Sequence, residues 1–163
     1  VLDVSRLEEG KLPLDRQPHD LVALCRETVA RLAPVDRTRS IELAGAPALE
    51  TVCDGELVGR VLENLVSNAI KHTPPGSGIR VTAAGNASHA RIAVEDHGPG
   101  VAPEARSKIF DKFAAVELRT AHAFHSAGLG LAFCKLAVEA HGGSIGIECA
   151  RDHGSVFWFA LPR

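Results

Sequence analysis

The sequence has no methionine among its 163 residues, not even at position 1. This absence predicts that the chain is a piece of a longer protein. It also lacks both the roughly 20 consecutive apolar residues of a membrane-spanning helix and the N-terminal pattern of a secretory signal peptide. A net charge of -2 leaves no basic surface for a polyanion, so we expect no nucleic-acid partner.

Cysteine is also scarce, and its spacing argues against a structural zinc site. The four cysteines, Cys25, Cys53, Cys134 and Cys149, form no C-x-x-C pair, and such spread is typical of reduced thiols in a cytoplasmic protein. We expect Cys134 to lie in the core rather than to react. The content of 45% hydrophobic and 23% charged residues is that of an ordinary globular domain with a real core.

The order of predicted elements is mixed α and β. Asp20 and Asp54 are predicted N-caps of helices that end near Leu32 and His72, and a third helix is predicted from about 128 to 141. A short helix should begin near Pro103. Strands are predicted near 40–44, 49–53, 79–83, 90–94, 144–150 and 155–161. We therefore expect a two-layer sandwich in which helices cover one face of a sheet with antiparallel pairs.

The second predicted helix carries polar residues on one narrow stripe. Asn64, Asn68 and Lys71 share this stripe. The apolar positions gather on a different face: Val58, Leu62, Leu65, Val66 and Ala69. Two amides and an ammonium beside a core-facing side could hold a metal-bound polyphosphate, although such residues often only face water.

Two glycine-bearing segments follow along the chain. Asp96-x-Gly98-x-Gly100 comes where a strand ends, so its carboxylate could accept a hydrogen bond from an exocyclic amine while the glycines approach a flat ring. The alternative is a plain Gly–Pro turn. Gly128-Leu129-Gly130-Leu131 opens a helix, where bare N–H groups favour phosphate, or simply makes a flexible joint.

Between these segments lies Phe110-Asp111-Lys112-Phe113. Two aromatics three residues apart often indicate core packing, but here they border an irregular segment at 114–127. The pair could instead anchor a flexible lid, with Lys112 or Arg119 reaching toward phosphate.

In this order, ENLVSNAIKHT, DHGPG, FDKF and GLGL resemble the N, G1, F and G2 boxes of the catalytic ATP-binding domain of bacterial sensor histidine kinases. That family belongs to the wider group of Bergerat-fold ATPases, and the resemblance covers nearly the whole chain. It implies a mixed, mostly antiparallel sheet packed against about three helices. It also implies that 1–12 is the tail of the second helix of a dimerisation and phosphoacceptor domain, and that 13–163 is the catalytic domain.

The resemblance assigns ATP and Mg²⁺ as cofactors. Asn68 would bind Mg²⁺, Asn64 would lie beside the phosphates, and Lys71 would contact phosphate oxygens; these three are the expected catalytic positions. His72 replaces a tyrosine common in the family and would contact ribose or phosphate. Asp96 would read adenine. The remaining expected nucleotide-binding residues are Gly98, Gly100, Phe110, Lys112, Phe113, Gly128, Leu129, Gly130 and Leu131.

The resemblance also distinguishes phosphoryl transfer from hydrolysis. Related gyrase-type ATPases carry a water-activating glutamate where this chain has Asn64, and Glu63 should point elsewhere. We therefore expect a protein-histidine kinase domain that acts on a histidine of the dimerisation domain and passes the signal to a response regulator. The alternatives are an ATP-hydrolysing relative and a degenerate pseudokinase that serves as a binding module.

Several expectations concern the parent protein and the histidines. The parent should be a homodimer, either free or anchored in a membrane, while this chain alone should be monomeric and cytoplasmic. His19-Asp20 superficially resembles the start of an acceptor-histidine motif, but Val22-Ala23-Leu24 follow it. We expect the true acceptor upstream, so this chain alone should bind ATP without autophosphorylation. His122 and His125 have no evident further ligand for a metal.

Overall fold

The computed structural model describes residues 6, 8–10, 12–111, 130–150 and 153–163. Three α-helices have both ends within the described residues: α1 (Leu21–Leu32), α2 (Gly55–Lys71) and α3 (Gly130–Ala140). A single 3₁₀ turn (Ala33–Val35) follows α1. Within the described ranges no helix combines the length and the apolar character needed to cross a bilayer.

Both predicted N-caps are confirmed. The Oδ1 atom of Asp20 accepts hydrogen bonds from the backbone N–H groups of Val22 at 3.0 Å and Leu49 at 2.9 Å. The Oδ1 atom of Asp54 accepts one from the N–H of Leu57 at 3.1 Å. Each carboxylate satisfies a donor that the first helical turn leaves without an intrahelical partner.

Five strands form one mixed sheet: β2 (Ile41–Gly45), β4 (Ile79–Gly85), β5 (His89–Glu95), β6 (Ser144–Cys149) and β7 (Ser155–Pro162). Their order in the sheet is β2–β4–β5–β7–β6. Only the β2–β4 pair is parallel, and the other three pairs are antiparallel, which confirms the predicted fold class. A separate two-stranded ribbon joins β1 (Gln17–Asp20) to β3 (Glu50–Cys53).

The core lies between the helices and one face of the sheet. Alternate side chains of β7 are buried, and Phe159 at its centre is 0% exposed, as the period of two in a strand requires. The neighbouring Trp158 faces the opposite side and is only half-buried. The helix α2 contributes the buried apolar residues Leu57, Val58, Val61, Leu62, Leu65, Val66 and Ala69.

Two local features differ from the sequence-based expectations. No strand was predicted before α1, but 17–20 form β1. Its partner strand β3 lies 30 or more residues away along the chain, so no local pattern reveals this pairing. The short helix expected from Pro103 is a run of turns at 103–110. Its hydrogen bonds, such as Lys108 N–H to the Ala105 carbonyl at 3.0 Å, do not continue into a regular helix.

Candidate functional site

The C-terminal half of α2 presents the predicted polar stripe beside the end of the sheet. Asn68 is 7% exposed and lines a cleft, whereas Lys71 in the last turn is exposed. His72, the C-cap, is half-buried and lines the same cleft. Among the described residues, the side-chain amide of Asn68 makes no hydrogen bond. A buried amide without a protein partner is suited to a polar ligand or hydrated metal ion.

The cleft is partly open to solvent. It lies where α2 meets the ends of β5 and β7. Two other predicted residues, Asp96 and Gly100, line it together with Asn68 and His72. The other lining residues are Pro99, Val101, Ser155 and Phe157. Polar groups thus converge on a partly apolar pocket, the usual form of a small-molecule site.

Asp96 follows β5 and is 5% exposed. Its Oδ1 atom accepts hydrogen bonds from the N–H groups of Gly98 at 2.9 Å and Ser155 at 3.3 Å. Within the described part of the chain no hydrogen bond uses its Oδ2 atom, so one acceptor oxygen remains available. Burial raises the pKa of Asp96, and the two backbone hydrogen bonds counteract that rise.

The glycines near Asp96 are required by close contacts. A Cβ on Gly98 would lie 2.8 Å from the His72 carbonyl oxygen and 3.1 Å from Cγ2 of Thr73. Gly100 has a φ of 76°, a left-handed conformation that favours glycine. Gly154 approaches so closely that a Cβ there would lie 2.0 Å from the Asp96 carbonyl oxygen. These contacts hold the Asp96 turn against both α2 and the β6–β7 connection.

Asn64 lies one turn before Asn68, next to the start of α3. Its Nδ2 group donates to the Arg60 carbonyl at 2.8 Å, and its Oδ1 atom is 2.7 Å from the position of a Cβ on Gly130. A side chain at Gly130 would therefore displace Asn64. Glu63 points away, as predicted: its Oε2 atom is 3.1 Å from Nη2 of Arg31 on α1.

The other predicted residues are only partly described. Phe110 is buried and packs edge-on against Phe157, with ring centroids 6.3 Å apart, so it supports a cleft-lining side chain. Leu131 is 7% exposed and belongs to the core. The predictions for Lys112, Phe113, Arg119, His122, His125, Gly128 and Leu129 lie outside the described residues.

Sequence reasoning missed the contribution of β7. Two hydrogen bonds join Ser155 to Asp96: the Ser155 N–H donates to the carboxylate Oδ1 at 3.3 Å, and the Asp96 N–H donates to the Ser155 carbonyl at 2.9 Å. The two residues are 59 positions apart, and only the register of β5 and β7 brings them together. The apolar alternation of β7 predicted a strand, but no local pattern indicates which neighbour it pairs with.

Comparisons with known proteins agree with this arrangement. A family model described as histidine kinase-, DNA gyrase B- and HSP90-like ATPase matches residues 53–163. The sensory/regulatory protein RpfC of Xanthomonas campestris pv. campestris is 37% identical over 172 residues, covering 99% of this chain and 24% of RpfC. The sensor protein SrrB of Staphylococcus aureus is 36% identical over 165 residues, covering 100% and 28%. The chain thus spans about a quarter of the length of these relatives.

Solved structures share the fold. Full-length ShkA in complex with AMPPNP superimposes with a TM-score of 0.85 and 31% identity, covering 99% of this chain and 34% of ShkA. The nucleotide-free catalytic domain of the histidine kinase ThkA gives a TM-score of 0.80 and 29% identity, covering 91% of this chain and 97% of that domain.

Proposed function

We propose that this chain binds ATP with Mg²⁺ in the Asn68–Asp96 cleft and passes the γ-phosphoryl group to a histidine of the parent protein. The chain belongs to the histidine kinase-, DNA gyrase B- and HSP90-like ATPase family and is an ATP-binding domain of the sensor histidine kinase type. The observation that carries this proposal is the set of polar side chains that line the cleft together: the carboxylate of Asp96, the amide of Asn68 and the imidazole of His72.

Asp96 is the proposed adenine contact. Its Oδ1 atom is occupied by two backbone donors, while Oδ2 is available to accept from the exocyclic amine of the base. Gly98 lets the turn after Asp96 approach the end of α2, because any side chain at Gly98 would meet the His72 carbonyl, and Gly100 lets this turn adopt a left-handed φ of 76°. Binding of a base that has no donor at this position is disfavoured, because the buried acceptor would then be left without a hydrogen-bond partner.

Asn68 is the proposed metal ligand, with Asn64, Lys71 and His72 on the phosphate side. The Asn68 amide oxygen is an oxygen donor of the type that Mg²⁺ takes in proteins, and it lacks a hydrogen-bond partner among the described residues. When bound, Mg²⁺ would neutralise phosphate charge. Lys71 lies exposed one turn further along the helix, from which its ammonium can reach an anion outside the cleft.

Transfer to a histidine is favoured over hydrolysis by the residue that stands at position 64. Asn64 cannot accept a proton from water, and its Nδ2 group is engaged by the Arg60 carbonyl. Asp96 is the only carboxylate among the described residues that line the cleft, and its roles there are structural and base-reading. The site is therefore suited to positioning a phosphoryl group rather than to activating water.

The acceptor histidine is proposed to lie on a dimerisation domain of the same protein, with a response regulator downstream. His19 is an unsuitable acceptor because its imidazole packs against Gly55, at 2.6 Å from the position of a Cβ there. Residues 1–12 are proposed to continue the second helix of that dimerisation domain, and the parent to work as a homodimer.

Calorimetric titration with a non-hydrolysable ATP analogue, with and without Mg²⁺, tests the proposal. We expect Mg²⁺-dependent binding by the wild type and about 10–100-fold weaker binding by Asp96→Ala, since a hydrogen bond to a charged group is worth about 1.5–3 kcal/mol. Asn68→Ala should remove the Mg²⁺ dependence. Glu95→Ala is the matched control, because it removes the same charge one residue away from the cleft.

Two outcomes would support the rivals. Absence of binding under every condition would favour a pseudokinase that uses the fold only for partner binding. Steady-state ATP turnover that Asn68→Ala abolishes would identify a hydrolase.

A further inference from the structure

Arg39 is a buried cation that the proposed function does not use. It lies just before β2, and its side chain is 2% exposed. A guanidinium in such a place is costly unless its donors are satisfied and its charge is balanced. Asp36 balances the charge, because its Oδ2 atom accepts from Nε of Arg39 at 3.2 Å.

The remaining donors of Arg39 all meet the segment that ends α2. Nη2 reaches the carbonyl oxygens of Ile70 at 3.2 Å, Thr73 at 3.3 Å and Pro74 at 3.2 Å. Nη1 donates to the Ser77 carbonyl at 3.1 Å and to the Thr73 hydroxyl. One side chain therefore links four backbone carbonyls of the 70–77 segment, which no local sequence pattern predicts.

The sequence at the end of α2 explains why a cation is needed there. The Ile70 carbonyl would ordinarily accept from the N–H of residue 74, but Pro74 has none. Arg39 supplies the missing donor and places a positive charge at the negative end of the helix dipole. The Thr73 hydroxyl completes the cap by donating to the Ala69 carbonyl at 2.6 Å.

This helix end is also one wall of the candidate site. His72 lines the cleft. The carbonyl oxygen of His72 and the methyl group of Thr73 are the atoms nearest to Gly98, within 3.1 Å of the position of its Cβ. Gly98 in turn donates to Oδ1 of Asp96. A continuous chain of contacts therefore runs from Arg39 through Thr73 and Gly98 to the carboxylate that is proposed to read the base.

We propose that Arg39 is a positioning residue for nucleotide binding: it clamps the 70–77 segment so that His72 and the Gly98 turn are held at the geometry the nucleotide requires. The inference rests on the proposed function of the cleft. Lysine can replace it only in part, because an ammonium is a point charge and does not present a planar fork to several carbonyls.

The test compares ADP binding and stability for five variants, one of which, Arg39→Lys, keeps the charge without the planar fork. Arg39→Met removes the clamp. Thr73→Val keeps the shape of the side chain but removes the hydroxyl that accepts a hydrogen bond from Arg39 and donates one to the Ala69 carbonyl. It tests the clamp even if Arg39→Met does not fold. Thr73→Ser keeps the hydroxyl and is its matched partner. Val58→Ala, at a buried position near the start of the same helix, lowers stability away from the clamp.

We expect Arg39→Met to weaken ADP binding by about 10–100-fold, since a misplacement of about 1 Å at a site has effects of that size. Thr73→Val should weaken it to a smaller degree. Val58→Ala should leave the dissociation constant unchanged under conditions where all chains are folded. Arg39→Lys should rescue only part of the loss. A dissociation constant of Arg39→Met for ADP within about twofold of the wild-type value would overturn the inference. An equal loss of ADP affinity in Val58→Ala would overturn it as well.

A second readout separates this inference from the proposed function. In the ligand-free chain, the backbone amide resonance of Gly98 should move in Arg39→Met and Thr73→Val but not in Val58→Ala. If the wild type binds no nucleotide, the proposed function fails, while a moved Gly98 resonance would still establish the coupling. An unmoved Gly98 resonance in Arg39→Met overturns the coupling, whatever the wild type binds.

Discussion

Individual polar residues in this protein are buried in places where their partners come from distant parts of the chain. Asp96 is held by an N–H group two residues away and by another 59 residues away. Its pKa is raised because burial outweighs these two hydrogen bonds. Asn68 is as well buried as Asp96 but lacks such partners within the described ranges. The Asn68 amide and the second carboxylate oxygen of Asp96 are therefore the groups to which a ligand would supply the missing hydrogen bonds.

Asp96 should make nucleotide binding sensitive to acid at a pH above 3.8, the ordinary pKa of an aspartate. The carboxylate is the form that accepts from the base, and it is lost as the pH falls through the raised pKa. For folding the sign is opposite: the raised pKa makes a stabilising contribution at low pH that is lost as the pH rises through that pKa. Acid should therefore weaken nucleotide binding while the protonation of Asp96 itself favours the folded state.

The measurement is the ratio of ADP dissociation constants for the wild type and Asp96→Asn across the acid range, because the ratio cancels the titration of the ligand. We expect the advantage of the wild type, about tenfold at neutral pH for a charged acceptor, to vanish at the acid end. A ratio that is constant with pH would contradict the assigned role of the carboxylate.

The thiols give a second prediction at this scale. Cys25, Cys53 and Cys134 are buried, and burial raises the pKa of Cys25 to about 12 and that of Cys53 to about 11. Cys149 is exposed at the end of β6. Because the thiolate is the reactive form, a thiol-specific chromogenic reagent should label one cysteine quickly in the folded chain. Cys149→Ser should abolish this fast phase, and a second fast thiol would contradict the burial.

At the scale of elements, α2 is the helix that joins the core to the cleft, and both of its ends are fixed by distant residues. The C-terminal end is held by Arg39. The N-terminal end is held by His141, which is 3% exposed. Its Nε2 atom accepts from the Asp54 N–H at 2.9 Å, and its Nδ1 atom contacts the Ala137 carbonyl at 2.6 Å. The ring thus links the end of α3 to the start of α2.

Replacement of His141 tests this link. His141→Phe keeps a ring of similar shape but leaves the Asp54 N–H and the Ala137 carbonyl without partners, which should lower the free energy of unfolding by about 1–3 kcal/mol. Chemical denaturation measures the effect. The control is Arg31→Ala, which breaks the exposed pair with Glu63 and should cost less than about 1 kcal/mol. Equal effects would contradict the proposed link.

The elements also show how far sequence reasoning extends. The N-caps, the helix α2 and the hairpin strands β4 and β5 were predicted correctly, because their determinants are local patterns of apolar and capping residues. The polar stripe was also local, so Asn68 was identified from periodicity. The contributions of Arg39 and Ser155 could not be found in this way. They depend on pairings across 31 to 59 residues, which only the folded sheet and helix packing create.

At the scale of the whole molecule, a two-layer sandwich places its core on one face of the sheet and the cleft at the edge of that core. Phe157 serves both, since it packs against Phe110 and lines the cleft. The chain spans only about a quarter of its curated relatives. The cleft is assembled from described residues 68–101 and 155–157 of this one chain, so binding should not require the rest of the parent.

The two faces of the sheet give a stability prediction. Phe159→Ala should cost about 3–5 kcal/mol because it leaves a cavity at a fully buried position. Val156→Ala, on the other face of the same strand, should cost about 1 kcal/mol or less. Thermal and chemical unfolding of both variants compare the faces directly. Similar losses of unfolding free energy in the two variants would contradict this prediction and show that the second face of the sheet is also covered.

The central claim is that nucleotide binds between Asn68 and Asp96, and an NMR titration of the isotopically labelled chain with the Mg²⁺ complex of a non-hydrolysable ATP analogue tests it most directly. The account predicts saturable shifts of the backbone amides of Gly98, Gly100 and Ser155 and of the side-chain amide of Asn68. Shifts confined to the groove between α1 and α2, around Thr28, Gly59 and Arg60, would contradict it.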